Sequence, residues 1–350
     1  MKLQLAAILS ASALFFSACN DPAEDQSSDQ TAQEVETVAI DTVQARLDSL
    51  NQRIIADPGN ADNYLERAHL YAEKGDVNRT LEDFSNALDA DSTRDDIFFA
   101  RGEYHYGRTD FELAVADYQA CVDLSPENTE CLLKLGEMQI HLQNYPKALE
   151  EINKALTVNE FLPFGYYMKG RIYKETGDTT LAASSYQTAI EVDPEYYDAY
   201  IEIGLLYASA KSDLAIEYYR TATEIKPQSI EAKYNLAYYL QSSGDRDANR
   251  YTQAFKQYRE ILEIDPEFVP AYYNQGYIHL EYFQHYDSAI TFFDQAADIY
   301  PAYYQAYYNR GLCYESLGNK EEALADYNRA LSMQPDYTPA ALAKGRVLGE

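Results

Sequence analysis

Between Tyr304 and Pro335 the apolar positions fall into two helical runs. The first, "YQAYYNRGLCYESL", carries apolar residues at helical spacing, and "GNKEEALADYNRALSMQP" then opens with a stop and a start. Gly318 is placed to close the first helix in a left-handed turn, and Asn319 to cap the second. Pro335 ends the second run, because proline disfavours helix at the residue before it. The same alternation fills most of the chain, and "AYYN" at Ala271–Asn274 returns 35 residues later at Ala306–Asn309.

The recurrence is regular. Prolines stand at Pro58, Pro126, Pro194, Pro227, Pro266, Pro301 and Pro335. A small residue precedes each repeat end by a fixed offset, at Ala68, Gly102, Gly136, Gly170, Gly204, Ala237, Gly276 and Gly311. A second series, Ala114, Ala148, Ala182, Ala215, Ala254, Ala289 and Ala323, has Thr80 as its exception. A third, Phe84, Tyr118, Ile152, Tyr186, Tyr219, Tyr258, Phe293 and Tyr327, is aromatic but for one member. Two helix axes are expected to approach closely at the small positions, where a larger side chain would overpack the contact. "GD" at Gly75, Gly177 and Gly244 is read as the same turn as Gly318. The turn after Tyr207 is one residue short and lacks its glycine, while that after Gly244 gains about five.

These marks resemble the tetratricopeptide repeat, a helix-turn-helix of about 34 residues. The resemblance implies an all-α tetratricopeptide-repeat solenoid, a right-handed superhelix of stacked helix pairs. It places a half repeat at 41–60, eight repeats over 61–337 and a capping helix at 338–350. No single repeat has enough apolar surface to fold alone, so stacking supplies the core.

The amino terminus has a different character. Residues 1–18 carry Lys2 and an apolar run from Leu3 to Phe16, which reads as a secretory signal. "FSAC" resembles a lipobox and makes Cys19 the expected lipidation site, as in envelope lipoproteins of the Bacteroidota. Residues 19–40 are polar and acidic and read as a disordered linker. Together these place the protein on the outer membrane of a Gram-negative bacterium, facing periplasm or cell surface, with lipid as its anchor.

Charge narrows the partner. The net charge of −29 excludes nucleic acid and anionic lipid as main partners, since both need a basic footprint, and suits a basic protein partner. Tyrosine is abundant at 34 copies, of which 28 follow Phe161, and tryptophan is absent.

Numbering each repeat so that the small residue is position eight, the resemblance assigns Tyr64, Tyr166, Tyr200, Tyr272 and Tyr307 to packing at position four. It assigns positions five, six and nine to a concave groove. There stand Tyr167, Tyr234, Tyr273 and Tyr308, then Asn235, Asn274 and Asn309, then Tyr238 and Tyr277. These are the candidate partner-binding residues, with the asparagines expected to bond a peptide backbone and the tyrosines to supply rigid contact area. A glycan- or peptidoglycan-binding module using the same aromatic groove is the alternative. Lys134, Lys169 and Arg171 are too scattered for the family's carboxylate grip.

Catalytic signatures are absent from the sequence, and neither a metal nor a cofactor is expected. The five histidines are spread through separate repeats, and "HLEYFQH" lacks the i,i+4 pair of a zinc-protease helix. Asp245, Asp247 and Asn249 begin like a calcium loop, but Arg250 and Lys256 stand where glycine and glutamate belong. Cys121 and Cys131 are expected as buried free thiols, with a disulfide as the alternative, and Cys313 as a packing residue.

Overall fold

A computed structural model describes residues 42–349. The expected signal segment, Cys19 and the acidic linker lie outside the described residues. Those described form helices joined by short turns, with no strand among them. They separate into two compact units that divide after Gly107. The first holds α1 (42–56), α2 (Ala61–Glu73), α3 (Val77–Ala90) and α4 (Asp95–Gly107). The second begins with α5 (Phe111–Leu124), α6 (Thr129–His141), α7 (Tyr145–Val158), α8 (Pro163–Glu175), α9 (Thr179–Val192), α10 (Tyr197–Ser209) and α11 (Leu214–Ile225). It continues through α12 (Ile230–Ser242), α13 (Asn249–Ile264), α14 (Val269–Ile278), α15 (Tyr286–Ile299), α16 (Tyr304–Ser316), α17 (Lys320–Met333) and α18 (Thr338–Leu348). The division falls between the helices of the second sequence repeat, a break that the repeat pattern does not announce.

Within each unit the recurrent residues explain the pairing. A Cβ on Gly276 would lie 2.8 Å from the ring of Phe293, and one on Gly311 would lie 2.7 Å from the ring of Tyr327. Gly170 and Gly204 face Tyr186 and Tyr219 in the same way. The small position therefore exists to admit the aromatic of the following helix, which is fully buried at Tyr186, Tyr258 and Tyr327. Thr80 is buried too, its hydroxyl donating to the Asp76 carbonyl at 2.7 Å. Two arginines lock this packing from the flank. Arg67 grips Asp83 with two bonds of 2.7 Å, and Arg310 grips Asp326 at 2.6 and 2.8 Å. Such forks suit the planar guanidinium and hold both partners in one geometry.

The turns follow the expectation in part. Gly75, Gly177 and Gly318 are left-handed, with φ of 71°, 86° and 81°. Where glycine is missing, Thr109, Gln143, Lys211 and Gln284 take the left-handed conformation instead, with φ between 54° and 63°. Gly244 is not one of these turns. It starts a short 3-10 segment, Gly244–Arg246, and its missing side chain makes room for the Tyr251 ring, 2.2 Å from an ideal Cβ. Asn319 precedes α17 without capping it through its side chain, whereas Asp76 and Asp178 do cap their helices.

Cys121 and Cys131 correct another expectation. They are joined by a disulfide, with Cα atoms 6.1 Å apart, well within reach of such a bond. The α5–α6 turn brings the two fully buried sulfurs together, which sequence spacing alone could not show. Cys313 is a buried thiol, as expected, and burial pushes its pKa up to about 12.

Candidate partner-binding surface

The first helices of the second unit's repeats carry the candidate residues. Each position-five tyrosine lies between two other rings. Tyr234 meets Tyr258 at 6.1 Å and Phe268 at 5.7 Å; Tyr273 meets Phe293 at 5.8 Å and Tyr303 at 4.9 Å. Tyr308 meets Tyr327 at 6.0 Å and Tyr337 at 5.3 Å, and Tyr167 meets Tyr186 at 5.8 Å and Tyr196 at 5.6 Å. One neighbour comes from the same repeat and the other from the residue that precedes the next. These tilted and edge-on contacts suit the ring quadrupole, so the tyrosines form aromatic clusters between repeats, interrupted at Ile201. Phe268, Tyr303, Tyr337 and Tyr196 were invisible to the groove assignment, although an aromatic at the last position of four repeats, three of them consecutive, is a sequence signal that could have found them.

The asparagines are placed differently from the expectation. Asn274 and Asn309 are only 7% and 5% exposed. The Asn309 amide donates to the Tyr273 hydroxyl at 2.9 Å, and Asn274 makes the equivalent, longer contact of 3.5 Å to Tyr234. Buried amides with a partner inside the protein are not aimed at a peptide backbone, which corrects the expected role of these two. Asn235 has no counterpart because Ile201 occupies the preceding position five. The position-four tyrosines are half-buried rather than core, and Tyr200 and Tyr307 donate to the carbonyls of Pro194 and Pro301.

What remains open on this face is Tyr238, at position nine. Tyr238 is 44% exposed and stacks on Tyr234 at 6.2 Å, while Tyr277 is half-buried like the position-five tyrosines. Burial raises the Tyr277 hydroxyl to about 12 and Tyr167 to about 12, and raises Tyr273 further. All these hydroxyls are thus neutral donors at ordinary pH. Such a face offers flat apolar area with hydroxyl rims, suited to binding rather than to bond-breaking. Among the described residues no group of three or more His, Cys, Asp or Glu side chains could hold a metal ion.

Tetratricopeptide-repeat family profiles match residues 99–163, 197–229, 239–303 and 304–337, and a further TPR repeat profile matches 170–210. Hsc70-interacting protein 1 of Drosophila melanogaster is 32% identical over 88 residues, covering 25% of this chain and 23% of its own. The Hsp70-Hsp90 organizing protein of Triticum aestivum is 24% identical over 249 residues, covering 70% of this chain and 36% of its own. The chain spans about a quarter to a third of the first curated relatives it matches. The solved C-terminal part of a TPR repeat-containing protein from Cytophaga hutchinsonii is 16% identical and superposes with a TM-score of 0.60 over 70% of this chain and 98% of that one. The repeats, their packed glycines and these profiles agree: the chain belongs to the tetratricopeptide repeat family.

Proposed function

We propose that the chain is a non-enzymatic adaptor that gathers a segment of a partner protein against the first-helix face of its second unit. The observation that carries this is the exposure of Tyr238 on a seam whose other tyrosines are half-buried and fixed from below. A large aromatic held rigidly but left open loses little entropy on binding, which is what an interface anchor requires. The Hsc70-interacting and Hsp70-Hsp90 organizing proteins, whose names state protein partners, support the class.

In this reading the protein is lipid-anchored through Cys19 at the outer membrane, with its repeats in an oxidising compartment. The Cys121–Cys131 disulfide supports that compartment, because such bonds are rare in reducing cytosol. Cys19→Ser is expected to move the protein from the membrane fraction to the soluble or uncleaved pool.

The test of the binding face is photocrosslinking in intact cells, with a photoreactive phenylalanine at Tyr238 and a control at Tyr300. A discrete partner captured from Tyr238 alone is expected. Equal capture from both positions, or none from either, would defeat the adaptor reading. Protection of Tyr238 by soluble glycan fragments would favour a sugar ligand instead.

A further inference from the structure

Two irregularities of the repeat meet at one point in the second unit. The connection after α12 is lengthened, and α14 gains one residue, taken up by the π turn His279–Phe283 and closed by left-handed Gln284. Such extra-residue turns inside helices recur at functional sites. Tyr251, which follows the first insertion, stacks on Tyr282 of the π turn with centroids 3.7 Å apart and planes 20° apart. Tyr277 meets Tyr282 edge-on at 6.2 Å, and the Tyr251 hydroxyl donates to Asp245 at 2.9 Å. Tyr282 remains 37% exposed, and Glu281 beside it is exposed with no ion pair among the described residues. Neither insertion is needed to pack the repeat, since its neighbours manage without one. Their convergence builds a tyrosine corner edged by the carboxylates of Glu281 and Asp245.

We propose that this corner receives an arginine side chain of the bound protein partner, with the guanidinium lying on the open face of Tyr282 and pairing with Glu281. The proposal rests on the adaptor reading and gives its partner a chemistry. A planar guanidinium stacks on tyrosine and pairs with a carboxylate at once, which a lysine ammonium does less well. The protein's net charge of −29 draws cationic segments and repels acidic ones. The fold already uses this contact internally, with Arg310 lying 5.2 Å from the Tyr307 ring centroid and Arg79 lying 5.4 Å from that of Tyr71. Burial raises the Tyr277 hydroxyl pKa and the Glu281 charge adds to it. At Tyr282 burial again raises it first, and the charges of Asp245 and then Glu281 add, so both carboxylates reach the corner.

The test uses the full chain with fluorotyrosine labelling, the Tyr282 resonance being assigned from Tyr282→Phe. Blocked tri-arginine peptide is titrated against tri-lysine and tri-glutamate. A saturable shift of Tyr282 by tri-arginine is expected, roughly tenfold weaker with tri-lysine and absent with tri-glutamate. Glu281→Gln, an exposed change that leaves packing intact, should weaken tri-arginine binding by roughly tenfold. No saturable shift, or an unchanged affinity in Glu281→Gln, overturns the proposal. Partner capture through Tyr238 alongside a silent Tyr282 would remove the arginine site and leave the adaptor reading standing.

Discussion

The side-chain amide of Asn309 donates to the hydroxyl of Tyr273 at 2.9 Å, tying α16 to α14 across a repeat boundary. Because Asn309 is buried and Tyr273 sits between Phe293 and Tyr303, this bond fixes the register of two first helices in a largely aromatic seam. Buried polar pairs of this kind are costly to break on one side.

Tyr273→Phe keeps the ring and removes the acceptor, so it should destabilise by about 1–3 kcal/mol through the stranded Asn309 amide. Adding Asn309→Leu should return part of that loss, giving a non-additive double-mutant cycle in denaturant melts. Tyr234→Phe should cost less, since its contact with Asn274 is 3.5 Å long. Strict additivity at Tyr273 and Asn309 would mean the bond does not fix the register.

Gly276→Leu should lower the melting temperature, because even its Cβ would lie 2.8 Å from Phe293. Overpacking of this kind costs about 1–3 kcal/mol. Gly345 in α18 is the contrast, with nothing within 4 Å of an added Cβ. Gly345→Ala should stabilise by about 0.5–1 kcal/mol through helix propensity. Equal melting of the two variants would contradict the assignment of the small position.

The left-handed residues without glycine predict the opposite sign from ordinary glycine substitution. Gln143→Gly and Lys211→Gly should leave stability unchanged or raise it by up to about 1 kcal/mol, as the backbone strain of φ 57° and 56° is relieved. Gly177→Ala, at φ 86°, should destabilise by about 1 kcal/mol. Thermal melts of the three variants check both signs.

Alkaline pH should unfold the second unit through its tyrosines. Burial raises the folded-state pKa of Tyr167, Tyr197, Tyr277 and Tyr337 to about 12 from an ordinary 10.0. The folded state therefore holds these protons more tightly than the unfolded chain. Their contribution is fully present below pH 10 and is lost as pH rises through 12. Phenolate absorbance and helical dichroism should change together across that window. Phenolate appearing well before helix loss would show the rings to be open to solvent.

The repeat architecture was legible in the sequence because it rests on local rules repeated many times. Gly276 before Phe293 and Gly311 before Tyr327 announce the same contact at the same offset. The site was less legible, because its residues act through neighbours one repeat away. Asn309 reads as a groove residue until its hydroxyl partner, 36 positions upstream, is known. Gly244 shows the same limit. Its dipeptide matches the left-handed turns, yet the Tyr251 ring, not the backbone angle, requires the missing side chain. The Cys121–Cys131 bond depended on the direction of two Cβ atoms, which no spacing encodes.

That disulfide also gives the second unit a polarity. A repeat stack is held by nearest neighbours, so it loosens from its ends by local opening rather than all at once. At the carboxyl end, α18 rests on α17 through side-chain contacts alone, among them Ala343 against Tyr327. Near the other end of that unit, α5 and α6 are covalently joined and part only when the sulfurs are reduced. Fraying under oxidising conditions therefore proceeds inward from α18, and it reaches the seam of Tyr308 and Tyr273 before it reaches the helices that the disulfide clamps.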